Sequence, residues 1–338
     1  MNSSNFKNHF IEELDKALRE NRIPNKYYQI ILDFYQCYKS AEKDNTEHEG
    51  IFFTFLKLVE AQIKEPFAFQ NYHEMIQKPF DYYQFGIDFI KPLIDLDNSN
   101  VFGKENLSSM NEKLNNGENV ILFANHQTEV DPQIISLLLQ NNFPKIAKEI
   151  IFVAGDRVIT DPLAIPFSMG RNLLCIYSKR YIETPIELKE KKQMHNHKTM
   201  QKMAELLKEG GKIIYVAPSG GRDRKDENDK LDVAKFDPQS IELFYLISKK
   251  AKVKTSFYPL SLFTYEILPP PKSIQVELGE TRVVRHSPAQ LHFGEYIDME
   301  KDDIAQIKNK DEKRKTRAEY IWNLVQVNYQ KLPKPESL

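Results

Sequence analysis

Apolar residues recur at spacings of three and four through the first part of the chain, with charges between them. In residues 6–19 the apolar set is Phe6, Phe10, Ile11, Leu14 and Leu18, which is one face of a helix. Residues 26–41 and 47–64 repeat the pattern, and Pro24 and Pro66 punctuate it as breakers. The reading is a helical bundle over residues 1–80.

From about residue 115 the rhythm changes. Short apolar runs at 120–124, 150–154, 172–178, 212–217 and 255–262 alternate with longer amphipathic stretches. The helical stretches carry boundary signals. Asp131-Pro132 and Asp237-Pro238 each read as an N-cap residue followed by proline at the first helical position. Gly210-Gly211 closes a helix running through 198–208. Strand and helix in alternation predict an α/β fold, a mixed and largely parallel sheet flanked by helices, over residues 81–338. After Pro269-Pro270-Pro271 the pattern predicts short strands at 274–278, 281–286 and 290–293, then a charged amphipathic helix near 302–330.

Composition narrows the class. The 338 residues hold 47 Lys+Arg against 48 Asp+Glu, so the net charge of -1 removes the case for a global nucleic-acid binder. With 41% hydrophobic residues there is material for a core of this size, and 28% charged residues suit a water-facing surface. No apolar run approaches the roughly 18–20 residues of a membrane span. The opening stretch mixes acids with bases, unlike a secretory or transit leader. Cys37 and Cys175 sit in apolar contexts and read as reduced, buried thiols. The expected compartment is therefore cytosolic.

The chemistry-bearing signals lie at predicted strand ends, where open α/β sheets bind ligands. The first is Asn125-His126-Gln127-Thr128-Glu129-Val130-Asp131-Pro132. A histidine with a carboxylate five residues on can form an imidazole–carboxylate pair, a base with its orienting partner; Asp131 as a helix cap is the alternative. The second is Pro218-Ser219-Gly220-Gly221-Arg222-Asp223-Arg224, in which glycines and guanidinium forks suit an anion. It lacks the ending of a phosphate-binding P-loop and the pattern of a nucleophile elbow. The third is Ser178-Lys179-Arg180-Tyr181. His195 and His197 have no third ligand nearby and read as a solvated helix face, and no metal is expected.

NHQTEVDP, AGDRVITDPLAIPFSMGRN, YSKR, APSGGRDR and FYPLSL, in that order between Pro79 and Gly294, resemble the soluble plastid and chlamydia-type glycerol-3-phosphate acyltransferases. These belong to the wider glycerolipid acyltransferases, whose signature is a histidine, four residues, then an aspartate. The resemblance implies transfer of a fatty acyl group from acyl carrier protein or coenzyme A to the 1-hydroxyl of sn-glycerol 3-phosphate. On matching positions, His126 is the general base and Asp131 its partner. Arg222, Arg224, Lys179 and Arg180 grip the phosphate, and Tyr181 stands where plant members carry histidine. Since a thioester is already activated, neither an enzyme nucleophile nor a further cofactor is required.

Backbone amides at 125–128 or 220–221 are candidate oxyanion donors. Lys249, Lys250, Lys252 and Lys254 are candidate docking residues for an acidic carrier protein, and peripheral membrane contact would serve product release. A bacterial cytosol is the expected location, with the plastid stroma as the alternative. A lysophosphatidate acyltransferase and a non-catalytic acyl-carrier or lipid-binding module are the competing readings.

Overall fold

The computed structural model describes residues 8–41, 49–271 and 278–334. Helices α1 (His9–Arg19), α2 (Asn25–Ala41) and α3 (Glu49–Lys64) open the chain, followed by β1 (Tyr72–His73), α4 (Tyr82–Ile90), β2 (Asn100–Phe102) and α5 (Lys104–Asn115). The central run is β3 (Asn119–Ala124), α6 (Asp131–Leu139), α7 (Pro144–Glu149), β4 (Ile151–Gly155), α8 (Ile165–Ser168) and β5 (Asn172–Ile176). Then come α9 (Lys189–Glu209), β6 (Ile213–Val216), α10 (Pro238–Ala251), β7 (Thr255–Phe263), β8 (Gln290–Phe293), α11 (Asp302–Ala305) and α12 (Lys310–Lys331).

The strands form one eight-stranded sheet in the order β1-β5-β4-β6-β3-β7-β8-β2. β5, β4, β6, β3 and β7 run parallel; β1 is antiparallel to β5, and β8 to β7. The expected mixed, largely parallel α/β sheet is therefore what the chain forms. β3, buried along its whole length, reads as a continuous apolar run because helices cover both faces. One face packs on α9, α10 and α12, the other on α5, α6 and α7. Among the described residues no helix is long and apolar enough to cross a membrane.

The opening helices form as the periodicity predicts. Their aromatic core (Phe10, Phe34, Phe52, Phe55) continues through Phe89 of α4 to Val130, Ile134, Leu268 and Val284 beside the sheet. Tyr72 and His73, before residue 80, pair with Leu174 and Leu173 of β5. Several expectations need correction. Residues 281–286 run without a strand, since the ladder on β7 begins only at Gln290; residues 274–277 lie outside the described residues. The final helix is split, with Asn309 accepting from the amides of Asp311 and Glu312 to start α12.

Close packing of α4 on the segment before β5 sets one wall of the site. A Cβ at Gly170 would stand 2.4 Å from the Tyr82 carbonyl oxygen and 2.7 Å from the Tyr83 amide nitrogen. Gly170→Ala is expected to cost about 2–4 kcal/mol in chemical denaturation. Gly50→Ala, with nothing within 4 Å, is the near-neutral comparison.

Candidate active site

Because β5, β6 and β3 are parallel, the loops that follow them leave the same edge of the sheet. The loop after β3 carries His126, and α6 begins at Asp131. Asp131 does not cap that helix. Its carboxylate turns back into the loop, where Oδ2 accepts from His126 Nδ1 (2.8 Å), Gln127 N (2.9 Å) and Thr128 N (3.3 Å). Oδ1 accepts from Thr264 Oγ1 at 2.6 Å. Asp237 does cap α10, accepting from Gln239 N and Ser240 N. The Asp131 side chain is 1% exposed and that of His126 29%, so the pair is anchored at one end and open at the other. With Nδ1 donating to the carboxylate, Nε2 of the neutral ring is the free base.

Asn125 and Gln127 fasten this loop from both sides. Asn125 Oδ1 accepts from Leu262 N at 2.7 Å while its Nδ2 donates to Leu262 O (3.0 Å) and Asp223 Oδ2 (2.9 Å). Gln127 Oε1 accepts from the Thr264 and Tyr265 amides (2.8 and 3.1 Å). Asp223, fully buried between Arg222 and Arg224, also accepts from Ala234 N at 2.9 Å, and its own amide donates to His126 O at 2.6 Å. Burial pushes its carboxyl up to about 6 against the pull of these donors and of His126.

In front of His126 lies a cavity of about 120 Å³. Its apolar walls come from α2 (Phe34), α4 (Phe89), β4 and the loop after it, Phe167, Leu268 and Val284. Its polar lining includes Glu129, Gln133, Arg171 and Arg282. Arg171 donates to Ser136 Oγ at 2.5 Å and lies 4.7 Å from the Tyr83 ring centre. Burial pulls its guanidinium down to about 10, with Tyr83 opposing.

At the same edge is a compact charge cluster. Arg282 donates to both oxygens of Glu129 (2.5 and 3.2 Å) and stands 3.5 Å from Asp161. Arg222 reaches both oxygens of Glu280 (2.6 and 2.8 Å), with Arg157 3.8 Å from the same carboxylate. Burial pushes the Glu129 carboxyl up, but the charges of Arg282, Arg222 and Arg157 leave it below its ordinary range.

The structure thus brings His126 and Asp131 together and sets Arg222 beside them through the cluster. Arg224 instead donates to the Pro271 carbonyl. Lys179 lies at the end of β5, three strands or about 14 Å from β3, and pairs with Asp237 and Gln239. The Arg180 side chain lies outside the described residues. Of the candidate oxyanion donors, the Gln127 and Thr128 amides are engaged by Asp131, and Gly220 N donates to Ala217 O. The lysine group at 249–254 sits at the far end of α10, which returns the chain to the opposite edge of the sheet before β7. His195 is not simply solvated: Nε2 lies 2.9 Å from Cys175 O and the ring packs edge-on to Tyr177. Cys175 is buried, which pushes its thiol up to about 12. Cys37, half-buried, lies 3.3 Å from both backbone polar atoms of Val284. Sequence reading missed Glu129, Arg157, Thr264, Glu280 and Arg282. The NHQTE and GDR motifs carried two of them, Glu129 and Arg157, and the other three lie over 130 positions beyond His126.

A base at the mouth of an apolar cavity suits acyl transfer, and residues 99–262 match the family model described as Acyltransferase. The match extends to nearly the whole chain in chloroplastic glycerol-3-phosphate acyltransferases. Identity is 38% over 323 residues with that of Cucurbita moschata (94% of this chain, 70% of the relative). It is 40% over 326 residues with that of Spinacia oleracea (94% and 69%) and 35% over 325 with that of Arabidopsis thaliana (94% and 70%). The chain belongs to this glycerol-3-phosphate acyltransferase family, and it is an enzyme.

Asp223 gives a pH signature. Its folded value, near 6, is above the ordinary 3.8, so folding takes up a proton between these values. Stability is therefore expected to fall as pH rises from about 4 to 6, by on the order of 2–3 kcal/mol. Asp223→Asn should flatten that slope in unfolding measured across pH 4–7; an unchanged slope would remove Asp223 as its source.

Proposed function

We propose that this chain transfers a fatty acyl group from an acyl thioester to the 1-hydroxyl of sn-glycerol 3-phosphate. The observation that carries the reading is His126, held on Asp131 with Nε2 free, at an apolar cavity and beside Arg222. The acyl chain occupies the cavity, and the acceptor's phosphate is held at Arg222, with Arg224, Lys179 and Arg180 as further candidate partners. Lys179 is tied to Asp237, whose amide donates to Pro218 O, so it reaches the arginine loop from β5.

His126 Nε2 takes the proton of the 1-hydroxyl as its oxygen attacks the thioester carbonyl. The tetrahedral intermediate collapses with cleavage of the carbon–sulfur bond. The imidazolium, stabilised by Asp131, returns the proton to the leaving thiolate. No acyl-enzyme and no further cofactor is invoked. Acyl carrier protein or coenzyme A carries the thioester, and peripheral membrane contact would take up the product. The chloroplastic relatives favour the plastid stroma over a bacterial cytosol as the compartment.

Acyl carrier protein and coenzyme A thioesters offered side by side with glycerol 3-phosphate are the direct test, the expected product being 1-acyl-glycerol 3-phosphate. His126→Ala should lower turnover by about 10²–10⁴ or more while calorimetry still detects glycerol 3-phosphate binding; near-normal turnover would refute the assignment. Arg222→Ala combined with Arg224→Ala should raise KM for glycerol 3-phosphate about tenfold or more. An unchanged KM would place the phosphate elsewhere.

A further inference from the structure

The charge cluster contains an anion already in place. Arg222 closes on both oxygens of the Glu280 carboxylate, and Arg157 approaches one of them from the loop after β4. Both guanidiniums act on Glu129, which lines the cavity with His126 and stands three residues after it. We propose that the Glu280 carboxylate holds the place of the acceptor's phosphate between Arg222 and Arg157, and that Arg157 is a further phosphate-binding residue. This rests on the proposed function.

Three features support it. First, convergence of two guanidinium groups on one anion is the arrangement that phosphate, with three oxygens and greater charge, uses better than a carboxylate. Second, Arg282 is distinct from this pair: it is buried and held by Glu129 and Asp161, so it braces the cluster. Third, the backbone carrying Glu280 is fixed independently of the carboxylate. Gly279 N donates to Asp161 Oδ2 at 3.0 Å, the Glu280 carbonyl accepts from Arg282 at 2.9 Å, and Val284 N donates to Cys37 Sγ. Rotation of one side chain therefore exchanges carboxylate for phosphate while the segment stays in place. Glu280 keeps the two arginines ordered in the empty enzyme at the cost of competing with substrate.

The test is calorimetric binding of glycerol 3-phosphate and of inorganic phosphate, alongside steady-state kinetics, for Glu280→Gln, Arg157→Ala and Arg157→Lys. Glu280→Gln is expected to tighten both ligands about fivefold and to lower KM correspondingly. Arg157→Ala should weaken both about tenfold, with the change in KM rather than kcat and partial recovery in Arg157→Lys. Weaker or unchanged binding in Glu280→Gln, or an unchanged KM in Arg157→Ala, would overturn the inference. Should Glu280→Gln fail to fold by thermal unfolding, Glu280→Asp, which draws the carboxylate back, must show the same direction. If the unaltered enzyme turned over no glycerol 3-phosphate, the functional reading would fall, while the phosphate titration of Glu280→Gln would still decide the inference.

Discussion

A carboxylate shut away from water has to be surrounded by donors, and Asp131 is surrounded completely. Two loop amides, a threonine hydroxyl from the end of β7 and the His126 ring use both of its oxygens. An unpaired buried charge costs several kcal/mol, so each donor is fixed by the need to satisfy it. The consequence is a histidine whose Nδ1 is committed to the carboxylate while the residue lines the cavity. The corner between β3 and α6 is at once the reason the loop has one conformation and the reason the ring has one role.

Alternation does similar work in the second loop. In Arg222-Asp223-Arg224 the middle side chain is buried against Asn125 and Gln127, and its neighbours turn away, Arg222 to Glu280 and Arg224 to Pro271. The buried aspartate joins the arginine loop to the histidine loop, so that base and cation are placed by one hydrogen-bond network. That a raised carboxyl is kept there, at a cost in stability near neutral pH, fits a site whose geometry outweighs its contribution to folding.

Much of this was legible in the chain. The five central strands could be read because each is a short apolar run between helices, and parallel order followed from the alternation. β1 and β2, of two and three residues, are too short to show any period and exist only through pairing. His126 and Asp131 were legible by spacing, although the cap reading of Asp131 was not excluded until the carboxylate was seen facing inward. Arg222 was legible as a fork beside glycines. Its counter-ion was not, because Glu280 arrives 58 positions later, between two stretches read as strands, and no local pattern tells which distant loop such a segment meets. Lys179 shares the sheet edge as expected, but strand order, which no local pattern encodes, sets it two strands from β6 and three from β3.

The cavity brings the opening helices up to the residues around His126. Phe34 and Phe89 complete its apolar wall opposite β4, and their ring planes lie 30° apart at 5.8 Å within the aromatic core. Val284 lines the same space and is fastened to α2 through Cys37. The segment that fastens it is the one carrying Glu280 and Arg282. Helical layer, cavity wall and charge cluster are therefore contiguous, joined by the few residues between Glu280 and Val284. Phe34 and Val284 thus line the cavity at one end of a short strap whose other end carries Glu280 and the arginines around it.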